Sequence, residues 1–194
     1  MEKIRDILTG KILGVLKDWA ENKQDKFLKF YQNFGTLLKT GLNSDFVNRD
    51  KLIELLRFES SAKQAGEMTS LKEYVSRMKD FQSEIYYLSG ENRDLLEHNP
   101  KLEYFKKNGV EVLFLTEPID VFTVPSIHEY EKKPIKSIDK ADIALKPQDQ
   151  IVKPDDKLSE SLLKLFKDEL KGKVEDVVVS KRLVESAATL VSAK

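Results

Sequence analysis

The stretch that most constrains this chain is Ser70–Gly90, SLKEYVSRMKDFQSEIYYLSG. Ser70 and Glu73 have the spacing of a capping box, in which the Ser70 side chain accepts the Glu73 amide and the Glu73 carboxylate reaches back to the Ser70 amide. Leu71, Tyr74, Val75 and Met78 then fall at i, i+3, i+4 and i+7, on one helical face. Arg77 and Lys79 lie towards the helix end that suits cations. After Asp80 the pattern changes. Ile85, Tyr86, Tyr87 and Leu88 form a continuous apolar run closed by Gly90. It is too short for a helix and reads as a strand buried on both faces.

Before this unit the periodicity is helical. Ile4, Ile7, Leu8, Ile12, Val15, Leu16 and Trp19 trace a stripe to about Asn22, which predicts a core-facing helix. Asp25–Leu38 predicts a second, with an apolar arc wide enough to be covered on two faces. TGLN at Thr40–Asn43 is a stop signal, and Asn43 or Ser44 is the expected cap of a third helix carrying Phe46, Leu52, Leu55 and Leu56. Short connections between three helices imply an antiparallel bundle. Residues 60–70 read as a polar loop.

Beyond Gly90, residues 93–97 and 102–107 predict two short helices broken at Asn99-Pro100. Val110–Thr116 is another apolar strand. A strand, a helical crossover and a strand make a βαβ unit with parallel strands. Pro118 opens a short helical or turn segment through Phe122, and Ile135–Ile138 is expected at a sheet edge, where Pro134 is tolerated. Residues 146–157 hold Pro147 and Pro154 among charges and read as a linker. A helix capped by Asp156 or Ser159 follows, ended by Gly172, and then two strand-like runs, VEDVVVS and AATLVSA. The expected fold class is α/β: a helical bundle (1–65), a small αβα sandwich (66–145), a linker (146–157) and a partial α+β domain (158–194).

Composition removes several functions. Lys+Arg 33 against Asp+Glu 33 leaves no basic excess for general nucleic-acid binding. With no cysteine, disulfides, thiol catalysis and cysteine-ligated zinc are excluded, and a reducing cytoplasm fits. MEKIRDILTGKILG mixes charges through its apolar positions and is not a signal peptide. No apolar run is long enough for a membrane-spanning helix.

His98 and His128 lack metal-ligand spacing and read as surface polar residues. Ser89–Asn92 joins a strand to a helix, where amides could hold a phosphate. Without GxGxxG or GxxxxGK, a plain turn is the better reading. No nucleophile, base and orienter are grouped by the sequence. Val121, Phe122, Val124 and Ile127 follow Asp120 in a segment with two proline neighbours, Pro118 and Pro125, and poorly suited to full burial. Two readings stand: an exposed contact surface for another protein, or an internal clamp on the sheet.

YVSRMKDFQSEIYYLSGE closely resembles the ninety-kilodalton heat-shock protein chaperone family, whose middle domain runs approximately YxxRMKxxQxxIYYxxGE. The match includes Tyr74, Arg77, Met78, Lys79, Gln82, Ile85, Tyr86, Tyr87, Gly90 and Glu91. FYQNFGTLLKTGLNSDFVNRDKLIELLRFESS resembles the family's FYxxFxxxLKxGxxxDxxNRxKLxxLLRFxSS, and KVEDVVVSKRLVESAATLVSA resembles the opening of its C-terminal dimerisation domain. The resemblance implies an ATP-dependent parent that binds and remodels client proteins. It also implies that the parent's ATP site and catalytic arginine precede this stretch and that its dimerising helices follow it. The segment itself is then expected to be no enzyme, to hold no cofactor and to be mainly monomeric. Magnesium and ATP belong to the parent, which is a homodimer. Unfolded clients and cochaperones are the implied partners, with no nucleic acid or membrane. The family's PIDEW or PIDEY segment and the turn after it lie on a client-holding surface. Pro118, Ile119 and Asp120 match, Phe122 takes the aromatic position, and Glu129, Tyr130, Glu131 and Lys133 match the turn. The implied client-binding residues are Phe122, Tyr130 and Glu131. Val121 replaces the family's acid and Lys132 its glycine. The alternative reading is a small-molecule or nucleotide-binding αβα enzyme domain, which would show a pocket with perturbed titratable groups at Gly90 or Thr116.

Overall fold

A computed structural model describes residues 2–139, 156–180 and 183–190. Three helices open it: α1 (Glu2–Asn22), α2 (Gln24–Gly41) and α3 (Arg49–Leu55). Then come β1 (Glu59–Ser60), α4 (Leu71–Ser76), β2 (Ile85–Ser89), α5 (Arg93–Glu97), α6 (Pro100–Lys107) and β3 (Leu113–Leu115). The described chain continues with α7 (Asp120–Ile127), β4 (Glu129–Tyr130), β5 (Lys133–Ser137) and α8 (Asp156–Glu169). The architecture is mixed α/β, helices packed on both faces of one sheet.

The capping box of α4 forms as its spacing implies: the Glu73 amide donates to Ser70 Oγ at 3.1 Å, and the Ser70 amide donates to Glu73 Oε2 at 2.8 Å. The helix buries Leu71 and Tyr74. The Tyr74 hydroxyl lies against the next strand, accepting the Tyr86 amide at 3.0 Å and donating to the Glu111 carbonyl at 2.7 Å. One buried phenol thus ties helix to sheet, satisfying polar groups that would be costly unpaired.

Strand order is β1-β3-β2-β5-β4. β2 runs parallel to β3 and β5, with Leu88 opposite Phe114 and Ile85 opposite Ile135. β1 and β4 add antiparallel pairs at the two edges. The two-residue period of a strand divides the core. Ile85, Leu113 and Leu115 join a cluster with Leu16, Phe27, Leu55, Tyr74 and Val124 on one face. Tyr86, Leu88 and Phe114 join Leu96, Leu102 and Phe105 on the other. The first cluster runs from α1 to the sheet, so bundle and sandwich share one core. Gly90 ends β2 where an added Cβ would sit 2.6 Å from Leu96 Cδ2, so close packing of α5 depends on the missing side chain.

Several sequence expectations change. The α1 helix forms, but Ile4, Ile7, Leu8, Ile12 and Val15 are exposed while Leu13 and Leu16 are buried. The buried line is therefore narrow, because α2 and α3 cover only one side. Along α2, Phe34 and Leu37 are likewise exposed, and the buried positions are Phe27, Tyr31, Gly35 and Lys39. Phe46 lies outside α3, whose N-cap is Asn48 rather than Asn43 or Ser44. The polar loop is closed at its base, where Phe58 and Thr69 exchange backbone hydrogen bonds at 2.9 and 2.7 Å. The helix after Pro118 extends past Phe122 and through Pro125 to Ile127. β5 is interior to the sheet, because β4 covers its outer side. Its Pro134 pairs with Glu129 of the edge strand. The runs VEDVVVS and AATLVSA form no strand among the described residues. Residues 146–155 of the expected linker lie outside the described residues.

Candidate client-binding surface

α7 is a short helix with two unlike sides. Asp120, Thr123, Val124 and Ile127 face inwards, while Val121 and Phe122 are 53% and 71% exposed. The segment divides between burial and exposure. Val124 and Ile127 clamp the core, and Val121 and Phe122 face solvent. Pro125 offers no amide to the Val121 carbonyl, which weakens the helix on its outer side. Side chains add bonds along the helix: Thr123 Oγ1 donates to the Ile119 carbonyl at 3.0 Å, and Ser126 Oγ donates to the Thr123 carbonyl at 2.7 Å.

Polar tethers from the bundle hold the inner side. Lys39 and Asp120 are both 2% exposed, and Lys39 Nζ lies 2.8 Å from Asp120 Oδ1. The same ammonium donates to Glu117 Oε1 at 2.8 Å, and Thr36 Oγ1 donates to Glu117 Oε2 at 3.1 Å. Burial pushes the Asp120 carboxyl up from its ordinary range, and Lys39 opposes that shift. At the other end, Arg49 Nη2 donates to the Ser126 carbonyl at 2.7 Å and to its hydroxyl at 3.1 Å. Arg49 Nη1 donates to the Leu42 carbonyl. α7 is thus pinned at both ends to the bundle.

The β4–β5 hairpin follows. Tyr130 is 7% exposed, and its hydroxyl donates to Glu54 Oε1 of α3 at 2.8 Å. Burial pushes its phenol up. The ring belongs to the core, whereas Phe122 and Glu131 lie on the surface. Tyr130 pairs with Lys133, leaving Glu131 and Lys132 as a two-residue turn, with φ of 47° and 61°. Both lie in the left-handed region that such hairpin turns require and that glycine or asparagine tolerates better. His128, just before, has φ 60° and ψ −53°, close to a strained γ-turn. Three non-glycine residues with positive φ within five positions store strain beside the exposed helix, a feature that clusters at functional surfaces.

Phe46, which periodicity placed on a helix, and Val47, which it passed over, are 75% and 92% exposed. They occupy a turn in which Asp45 Oδ1 accepts the Asn48 amide at 3.1 Å and Asp45 Oδ2 accepts the Asn48 side chain at 2.9 Å. The DFVN pattern is the local signal, since Asp and Asn close such turns through their side chains. Arg49 connects this turn to α7 through Ser126.

Other sites offer less. A cavity of about 330 Å³ opens near Arg57, Glu54, Glu73 and Lys17, away from Gly90 and Thr116. The Leu95 amide at the start of α5 is already capped by Asn92 Oδ1 at 3.0 Å. Among the described residues, no group of three or more His, Asp or Glu side chains is placed to hold a metal ion. His98 is exposed and its Nδ1 lies 2.8 Å from the Asp94 carbonyl. No described helix is long and apolar enough to cross a membrane.

The fold is thus a helix-covered sheet with a pinned helix that turns an aromatic outwards. The sequence model of the family described as Hsp90 protein matches residues 1–194, and the chain belongs to that family. Among curated relatives, the proteins named Chaperone protein HtpG from Chlorobium luteolum and Chlorobium chlorochromatii are 54% and 52% identical over 100% of this chain. The one from Geobacter sulfurreducens is 41% identical over 99% of the chain. The chain spans about 31% of the length of the two Chlorobium proteins and 30% of the Geobacter protein.

Proposed function

We propose that this chain is the scaffold and part of the client-binding surface of an ATP-dependent chaperone, with Phe122 and Glu131 contacting unfolded or partly folded proteins. Membership of a family whose relatives are named chaperones supports the coarse reading. The finer reading rests on one observation above all: Phe122 is 71% exposed on a helix anchored by the buried Lys39–Asp120 pair. A large aromatic held in solvent by a rigid support is pre-organised for apolar contact, because little freedom is lost when it binds. Tyr130 acts beneath the surface by fixing the hairpin that carries Glu131.

In this reading the segment catalyses nothing and holds no cofactor. ATP and magnesium bind elsewhere in a homodimeric cytoplasmic parent, cochaperones act on that parent, and the segment alone is mainly monomeric. A permanently unfolded model protein titrated into the 194-residue chain tests the proposal by NMR. Saturable shifts should centre on Val121, Phe122 and Glu131. An absence of binding, or shifts gathered around Arg57 instead, would refute it.

A further inference from the structure

α6 carries Glu103 in its first turn, where a carboxylate suits the helix dipole. Its Oε2 accepts the backbone amides of Val184, Glu185 and Ser186 at 2.9, 2.9 and 3.2 Å. Its Oε1 accepts the Ser186 hydroxyl. Successive amides facing one anion form a concave cradle. Here the anion is a side chain of the same protein, 81 to 83 residues upstream. These bonds hold the Glu103 carboxyl well below the usual carboxylate range, at about 2.

Apolar burial contributes little to this docking. Val184 and Leu190 are 42% and 75% exposed, and Val178 and Val179 are exposed just before them. Leu162, Leu165 and Phe166 on the apolar side of α8 are exposed as well. Hydrogen bonds to an ionised acceptor are stronger than neutral ones, so contacts at a single carboxylate can hold a segment that buries little. On α6 itself, Lys101 pairs with Asp139 at 2.6 Å and Lys106 donates to the Glu97 carbonyl at 2.7 Å.

We propose that Glu103 and the amides of Val184–Ser186 form a latch that fastens the chain after α8 to the α5–α6 side of the sandwich. With the latch closed, residues 183–190 move with α6. With it open, residues 183–190 are released from α6. The docking of residues 183–190 on the sandwich is therefore set at one side chain.

Amide exchange followed by NMR on the 194-residue chain reads the latch directly. The Val184, Glu185 and Ser186 amides should be protected in the native protein. Glu103→Ala should reduce that protection at least about tenfold, as expected when a charge-assisted acceptor is removed. The β2 amides should be unchanged. Glu103→Gln, which keeps one neutral acceptor oxygen, should fall between. Unprotected amides at 184–186 in the native protein, or unchanged protection in Glu103→Ala, would overturn the proposal. If Glu103→Ala also exposes β2, Glu103→Gln decides: a loss confined to 184–186 supports the latch, and no change there refutes it.

Discussion

α7 and β2 are both short apolar segments carrying aromatics, yet they place them oppositely. Tyr86 of β2 is 2% exposed and Phe122 of α7 is 71% exposed. β2 lies between two parallel neighbours, so its alternate side chains meet helices on both faces. Tyr86 packs edge-on to Phe105 at 5.0 Å between ring centroids. α7 lies at the margin and is held from behind by Lys39, Asp120 and Arg49. Polar anchoring on one side releases the other from any part in the core. An apolar run read without its neighbours does not distinguish these cases.

The largest expected effect tests the buried half of that comparison. Tyr86→Ala should cost about 3–5 kcal/mol, as large aromatic truncations in cores do. Urea unfolding followed by circular dichroism measures it, and a loss below about 1 kcal/mol would show that β2 is not the core strand described here.

Next comes the anchor of α7. Lys39→Met leaves Asp120 buried without its ammonium partner, and breaking such a pair costs about 3–5 kcal/mol. The pH dependence has a definite sign. Burial raises the Asp120 carboxyl and Lys39 lowers it, so losing Lys39 raises it further. An acid whose pKa is raised in the folded state opposes folding while ionised, and that cost fades as pH falls through the folded value. The stability deficit of Lys39→Met should therefore shrink from pH 7 towards acid. A deficit that grows on acidification would mean that Asp120 is not the group left uncompensated.

A smaller effect probes the hairpin beside α7. Lys132 has φ 61° in the two-residue turn, the left-handed region that glycine tolerates best. Lys132→Gly should stabilise the chain by up to about 1 kcal/mol by relieving left-handed strain, less the extra freedom glycine gains when unfolded. Thermal melts give the sign, and destabilisation would show that the turn is not strained by its side chain.

What the sequence disclosed follows from which signals are local. The Ser70–Glu73 box and the Ile85–Leu88 strand were legible because capping and strand periodicity involve near neighbours. The resemblance carried by YVSRMKDFQSEIYYLSGE extended that reading to the family. Exposure of the α1 stripe was not legible, because it depends on which elements pack against α1. Nor was the inward role of Lys39: a lysine four residues after Gly35 carries no sign of the carboxylates it meets across 78 and 81 residues. Tyr130 and Glu131 are adjacent in sequence, yet Tyr130 ends a strand and is buried while Glu131 starts the turn and is exposed, a boundary set by the pairing of Tyr130 with Lys133.

The central claim is that Phe122 serves contact rather than packing. Phe122→Ala separates the two through paired measurements on one protein, its urea midpoint and its affinity for a permanently unfolded protein. Stability should change by no more than about 0.5 kcal/mol, as for a surface position. Affinity should fall roughly fivefold or more, the loss when an interface anchor worth about 1 kcal/mol is truncated. A drop in stability as large as that of Tyr86→Ala, or an unchanged affinity, would contradict it.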